Sequence, residues 1–269
     1  MARTQLSMGK GVTYHKVPHL DNPIFIAAWP GMGNVAVRAA SFLREKLHAE
    51  EFAEIEAGDF FPLSGVTIRD NLVDEPRLPK SKFYSWRSRR PAPDIMIFIG
   101  DAQPSSGKEY AFANLVMDIA VQVGVERLYT FAAMPSNIGH TQVPKVWGVA
   151  THAELIETLR EFGVHIMSYG HISGLNGSLL GVAKMRGIGG ICLLGELPYY
   201  ATQIENPKAS KAVLEVLGNM LDIHLDMTEL EKLAEYTEAE IERYMRQIKE
   251  EIQVERMLRK GEKDPGYVH

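Results

Sequence analysis

What most constrains this chain is the stretch from Ile24 to Leu47. Ile24-Phe25-Ile26-Ala27-Ala28-Trp29 is a short apolar run of strand composition. Pro30-Gly31-Met32-Gly33-Asn34 follows as a tight glycine-bearing turn. From Val35 to Leu47 the apolar residues Val35, Ala39, Phe42, Leu43 and Leu47 recur at helical spacing. Strand, glycine turn and helix in that order form the opening half of a βαβ unit. The first turn of such a helix has backbone N–H groups without intrahelical partners, and its dipole favours negative charge. A turn of this kind either cradles an anion or lets backbone approach backbone closely.

The remaining chain repeats the alternation. Residues 1–22 read as a leading arm with one edge strand at Gly11 to Lys16, and Phe52 to Glu56 reads as a second strand. Val66-Thr67-Ile68 is a further short strand, whereas 74–93, with Pro76, Pro79, Pro91 and Pro93 among many charges, reads as an exposed excursion. Asp94 to Gly100 is continuously apolar after its first residue, as in a strand covered on both faces. Helix is predicted over 108–123, strand over 127–132, a long loop over 134–145, strand over 146–150, helix over 152–162 and strand over 164–169. A second glycine turn, Ile172 to Ser178, precedes a predicted helix over 179–186 and a strand over 188–194. Asn206 and Pro207 fit an N-cap and first helical residue for a helix to about Ile223. Thr228-x-x-Glu231 and Thr237-x-x-Glu240 are both capping-box patterns, which predict a short helix and then a longer one. The longer one carries Ile241, Tyr244, Ile248 and Ile252 on a narrow stripe suited to one partner surface. The expected fold class is α/β, with a mostly parallel central sheet flanked by helices and a C-terminal helical extension. The expected division is a core over 1–225 and an extension with tail over 226–269.

Three places could hold a ligand. Gly31-Met32-Gly33-Asn34-Val35-Ala36 fits the dinucleotide fingerprint G-x-G-x-x-G/A, with Glu56 or Asp59 as an acidic ribose partner. Against this, Pro30 stiffens the turn and Trp29 would crowd the approach, so close packing or a subunit contact is the preferred reading. Gly174-Leu175-Asn176-Gly177 is either a second anion-accepting helix start or a turn capped by Asn176 or Ser178. Gly100-Asp101-x-Gln103 lies where open α/β sheets place ligands, with Asp101 as a base, a metal ligand or simply the cap of its turn. The candidate ligand-binding residues are therefore Gly31, Gly33, Asn34, Asp101, Gln103, Gly174, Asn176 and Gly177.

Other chemistries lack a pattern. The nine histidines show no zinc spacing, and neither a P-loop nor a G-x-S-x-G elbow is present. No metal, cofactor or catalytic set is expected. A net charge of -5 argues against nucleic-acid binding through overall positive charge, and the basic cluster from Lys80 to Arg90 reads as a solvated loop. No apolar run approaches the roughly 20 residues of a membrane span, and residues 1–10 lack a signal-peptide core. Cys192, the one cysteine, sits in an apolar run and is expected to be a buried structural thiol. A cytoplasmic location is the default expectation.

Trp29-Pro30-Gly31-Met32-Gly33-Asn34-Val35-Ala36 resembles the opening block of the proteasome assembly chaperone 2 family. Ser173-Gly174-Leu175-Asn176-Gly177 followed by Gly189 to Glu196 resembles its second block, and Asn206-Pro207-Lys208-Ala209 is also similar. The resemblance spans about Ile24 to Leu221. It implies a nucleoside-phosphorylase-like fold, homo-oligomers, and in some archaeal relatives binding to proteasome subunits without chemistry. It supplies no catalytic residues. Proteasome-binding relatives tend to end in a hydrophobic residue, a tyrosine and one last residue. Here the end is Gly266-Tyr267-Val268-His269, which departs from that spacing and sets the tail apart from one that docks by its carboxylate. Tyr267 remains a candidate contact.

The resulting expectation is a non-enzymatic assembly chaperone or scaffold, with proteasome α subunits as a partner and Ile241, Tyr244, Ile248, Ile252 and Tyr267 as partner-binding candidates. The alternative is a nucleotide- or nucleoside-binding enzyme that uses the two glycine turns.

Overall fold

A computed structural model of the protein describes residues 11–261 apart from 57, 59, 64, 77, 90 and 91, with the backbone alone for 254–261. In chain order the strands are β1 (Val12–Tyr14), β2 (Ile24–Ala28), β3 (Glu50–Ile55), β4 (Ile68–Arg69), β5 (Leu72–Val73), β6 (Ser81–Trp86), β7 (Ile95–Gly100), β8 (Arg127–Ser136), β9 (Val146–Ala150), β10 (His165–Ile166) and β11 (Gly189–Pro198). The helices are α1 (Val35–Leu47), α2 (Glu109–Val123), α3 (Ala153–Glu161), α4 (Gly174–Met185), α5 (Pro207–Leu221) and α6 (Thr228–Gly261).

All strands but β4 and β5 join one sheet in the order β1-β3-β6-β7-β2-β8-β11-β9-β10. Its centre, β7-β2-β8-β11, is parallel throughout. The flank through β6, β3 and β1 is antiparallel, and β9 returns antiparallel to β11 before pairing parallel with β10. This is the expected α/β architecture with a parallel middle inside a mixed sheet. β2 has β7 on one side and β8 on the other, so the chain changes direction across it.

The continuous apolar runs follow from burial on both faces. Ile24, Ile26, Ile95, Ile97, Tyr129, Phe131, Ile191 and Leu193 face α1, α3, α5 and the start of α6. Phe25, Ala27, Met96, Phe98 and Leu128 face α2 and α4. Cys192 is fully buried in β11, and burial pushes its thiol up to about 12, as befits a packing residue.

Several expectations are corrected. The proline-rich stretch contains β6, in which Ser81, Phe83 and Tyr84 are buried. Phe83 packs its ring 4.7 Å from Phe98, so alternating aromatics outweigh the flanking charge. The second glycine turn is itself the first turn of α4, which starts five residues earlier than the spacing predicts. β8 and β11 run in register as far as Ser136 and Pro198, beyond their apolar cores. The strand expected over 164–169 shrinks to two residues. The two C-terminal helices are one: Thr237, instead of capping a new helix, donates its hydroxyl to Leu233 O at 2.9 Å. Asp226 accepts from Thr228 N at 3.0 Å at the start of α6. Asn206 does cap α5, accepting from Ala209 N at 2.9 Å with Pro207 in the first turn.

Candidate functional site

The crevice beyond the carboxyl end of a strand with a topological switch beside it is where open α/β sheets bind ligands. Here that strand is β2, and the residues past its end are Trp29, Pro30 and Gly31. Trp29 has left the strand ladder, and Asn176 of α4 takes the place of a neighbouring strand. Asn176 Oδ1 accepts from Trp29 N at 3.1 Å, and Nδ2 donates to Trp29 O at 3.2 Å. Gln103, in the loop after β7, bridges the same two segments. Its Nε2 donates to Pro30 O at 2.8 Å and its Oε1 accepts from Leu175 N at 3.0 Å. Leu175 N–H is one of the unpaired donors at the start of α4, so a side-chain amide oxygen occupies the place an anion would take.

The first glycine turn faces elsewhere. Gly33 lies at φ +59°, and a Cβ there would meet Leu197 Cδ2 at 2.7 Å and Asn206 Cβ at 3.2 Å. Its N–H donates to Thr202 O and its carbonyl accepts from Asn206 N, both at 2.8 Å. Asn34 N–H turns back to Gly31 O at 2.9 Å. These N–H groups bind backbone, the close-approach use of such a turn. Glu56 follows β3, which β6 and β7 separate from β2, so Glu56 does not stand beside the fingerprint as a ribose partner; Asp59 lies outside the described residues.

Trp29 does not crowd the turn. It is fully buried on the α2/α4 face, its ring 4.7 Å from Phe98 and 6.3 Å from Phe112. A Cβ on Gly100 would meet the indole at 2.6 Å, which explains a glycine at the end of β7.

The structure therefore brings Gly31, Gln103, Gly174 and Asn176 to one point and sends the other candidates away from it. Asp101 Oδ2 accepts from Lys80 N at 3.1 Å and its own N–H donates to Lys80 O at 2.8 Å, closing the turn into β6. Gly177 packs under Ile172 O and lines a different cleft of about 430 Å³ with Met167 and Tyr169. Among the described residues, His15, Glu51 and Glu54 place possible metal-ligand atoms within 4.8 Å of one another. Lys82 Nζ lies 2.7 Å from Glu51 and 4.0 Å from Glu54, so an ammonium already offsets part of the charge a metal ion would need there.

One junction escaped sequence reasoning. Lys208 donates to the carbonyls of His140 at 3.1 Å and Thr141 at 3.3 Å and pairs with Glu238 of α6. His140 Nδ1 lies 2.8 Å from Tyr200 Oη, whose oxygen also accepts from His140 N. The available signal was the second residue of an N-capped helix carrying a long cation, where a dipole argument alone would have placed an acid.

Residues 25–245 match the PAC2 family. The chain belongs to the PAC2 family. It is 31% identical to a protein of Methanocaldococcus jannaschii over 252 residues, 93% of each chain. Among solved structures it resembles PbaB of Pyrococcus furiosus, an archaeal proteasome activator, with a TM-score of 0.76 and 31% identity over 87% of this chain and 98% of that one. It also resembles PbaA of the same organism, an archaeal homolog of proteasome-assembly chaperone, with a TM-score of 0.69 and 27% identity over 95% and 100%.

In this PAC2 chain the candidate partner stripe changes character along α6. Leu230, Ala234 and Ile241 are buried, and Lys46 and Lys211 tie the first turns down through Glu229 at 2.9 Å and Glu231 at 3.1 Å. Beyond them Tyr244 is 59% and Ile252 44% exposed, with Ile248 partly covered. Tyr267 lies outside the described residues. Among the described residues no helix is long and apolar enough to cross a membrane.

Proposed function

We propose that this PAC2-family protein is a non-catalytic assembly chaperone or scaffold that self-associates and holds other protein subunits, with proteasome α subunits as the partner class. In this reading residues 226–269 act as the partner-facing extension of a 1–225 core, and the cytoplasm is the place of action. The observation that carries it is the outer part of α6, where Tyr244, Ile248 and Ile252 continue the stripe begun by buried Ile241 but meet solvent. An apolar stripe on an otherwise charged helix gains free energy by covering its surface with another protein. Two further facts support the reading. The similar Pyrococcus furiosus chains are described as a proteasome activator and a proteasome-assembly chaperone homolog. The first glycine turn uses its donors on backbone carbonyls and the second uses Leu175 N–H on the Gln103 side chain, which argues against a nucleotide cradle.

The test is binding of the full-length protein to purified proteasome α subunits, compared with the variant carrying Tyr244→Glu and Ile252→Glu. Both side chains are exposed, so the fold should survive. At least a tenfold loss of affinity is expected. Equal binding by the variant, or absence of binding by the parent protein, would overturn the reading.

A further inference from the structure

α6 is fastened to the body at two levels. At its first turns Lys46 of α1 pairs with Glu229 at 2.9 Å, and Lys211 of α5 pairs with Glu231 at 3.1 Å. Two turns further on, Lys208 of α5 pairs with Glu238. Leu230, Ile241 and Ile252 recur at eleven-residue steps, which keeps them nearly in line along a helix. Along that line exposure climbs from 1% at Leu230 through 5% at Ile241 to 44% at Ile252. Met245 and Ile248, between the last two, are half-buried. α6 therefore parts from the body just past Ile241, within one turn of Glu238.

Lys208 is itself held in place. Its ammonium donates to the carbonyls of His140 at 3.1 Å and Thr141 at 3.3 Å, in the loop between β8 and β9. That loop closes on itself and on Tyr200. Gly139 N donates to Gln142 Oε1 at 2.7 Å, Gln142 N to Gly139 O at 3.1 Å and His140 N to Tyr200 Oη at 2.9 Å. The second residue of α5 is an unfavourable place for a cation, because the positive end of the helix dipole lies there. The long stem carries the charge away from that end to a carboxylate and two carbonyls. An exposed ion pair ordinarily contributes little, since two long side chains must be ordered to make it. Here the carbonyls order the lysine in advance, and the two side chains are only 26% and 28% exposed.

We propose that Lys208 is the positioning residue of the α6 partner surface and couples that surface to the β8–β9 loop. One ammonium is shared by α5, the loop and α6. The direction in which the outer helix leaves the body and the shape of the loop are therefore set together. The lever is long. Glu238 to Ile252 spans about 21 Å along the axis, so a tilt of about 10° at the base carries Ile252 about 4 Å. A shift of that size takes an apolar side chain out of contact range. By linkage, whatever fixes the outer helix from outside also steadies the loop. The inference rests on the proposed role of α6 only for what is being positioned; the coupling belongs to the free protein.

The experiment uses the full-length protein alone, so a failure to capture α subunits would sink the α6 reading and leave this result standing. Amide hydrogen exchange is followed over 137–145 and referred to β8 in the same sample, which separates local opening from global loss of stability. Glu238 meets the loop through Lys208, so Glu238→Ala should speed loop exchange at least threefold. Lys208→Met should do so at least as strongly, and the double variant should exchange no faster than Lys208→Met. Glu231→Ala, at the other tie, should leave the loop at the parent rate. In parallel, spin labels on Tyr199→Cys and Gln253→Cys report the direction of the outer helix; both positions are exposed, and the native Cys192 is fully buried. Lys208→Met should at least double the width of their distance distribution. Loop exchange unchanged by Glu238→Ala, additive effects in the double variant, an equal effect of Glu231→Ala, or an unchanged distance distribution would overturn the proposal.

Discussion

The side chain of Asn176 and the backbone of Trp29 are joined by two hydrogen bonds, so an amide stands in for a strand at the end of β2. Asn176 is 5% and Trp29 0% exposed, and water cannot replace either bond cheaply. Asn176→Ala would leave both a buried N–H and a buried C=O of Trp29 unpaired. An expected loss of about 2–4 kcal/mol follows from the cost of unsatisfied buried groups, read as a shifted denaturant midpoint at unchanged m. A loss near zero would show that the pairing is incidental.

Gly33 combines a positive φ with a tight approach to Leu197 and Asn206. Gly33→Ala adds left-handed strain of about 1–2 kcal/mol and a crowding cost of about 1–3 kcal/mol that relaxation of the flexible Leu197 end would reduce. A total near 2–4 kcal/mol is expected by chemical denaturation. If the turn served an anion instead, phosphate or nucleotide would raise the Tm of the parent protein and not of the variant. No such shift is expected in either.

Glu51 on β3 and Lys82 on β6 form a partly buried pair at 2.7 Å. Burial raises the Glu51 carboxyl, but the hydrogen bond and charge of Lys82, joined by His15, bring it below the usual 4.5 of a glutamate. The same hydrogen bond raises the Lys82 ammonium against its own desolvation. A lowered acid contributes stability that is complete above its unfolded value and is lost as pH falls through the folded one. A raised base contributes below its unfolded value and loses that contribution as pH rises through the folded one. The pair should therefore contribute about 0.5–1 kcal/mol near neutrality. Stability curves of the parent and Glu51→Gln should run parallel there and converge in acid. A constant gap down to about pH 2 would contradict the assignment.

Much of the fold was legible because the responsible signals are local. The 3.6-residue recurrence from Val35 to Leu47 needs no distant contact to specify α1, and Asn206-Pro207 caps α5 with its own side chain. β6 was hidden because prolines and charges around Phe83 and Tyr84 speak for a loop until Phe52 and Phe98 are placed on either side. The break expected at Thr237 failed for a related reason. A capping threonine and a mid-helix threonine share one sequence pattern, and packing of Ala234 and Ile241 on the core keeps the helix continuous.

By itself the sequence determined the class of the molecule: buried strands alternating with amphipathic helices, two glycine turns, one inert thiol and a stripe on the last helix. Period, cap chemistry and apolar content act within a few residues of one another, and a chain carries them wherever it folds. Only the tertiary structure decided what the glycine turns bind. Asn176 lies 147 residues from Trp29 and Gln103 lies 72 from Leu175, so nothing near either turn announces its partner. An unpaired N–H takes whatever acceptor packing delivers. Here sheet order delivered side-chain amides and carbonyls to the place where a related architecture admits a ligand, and left the outer part of α6 uncovered.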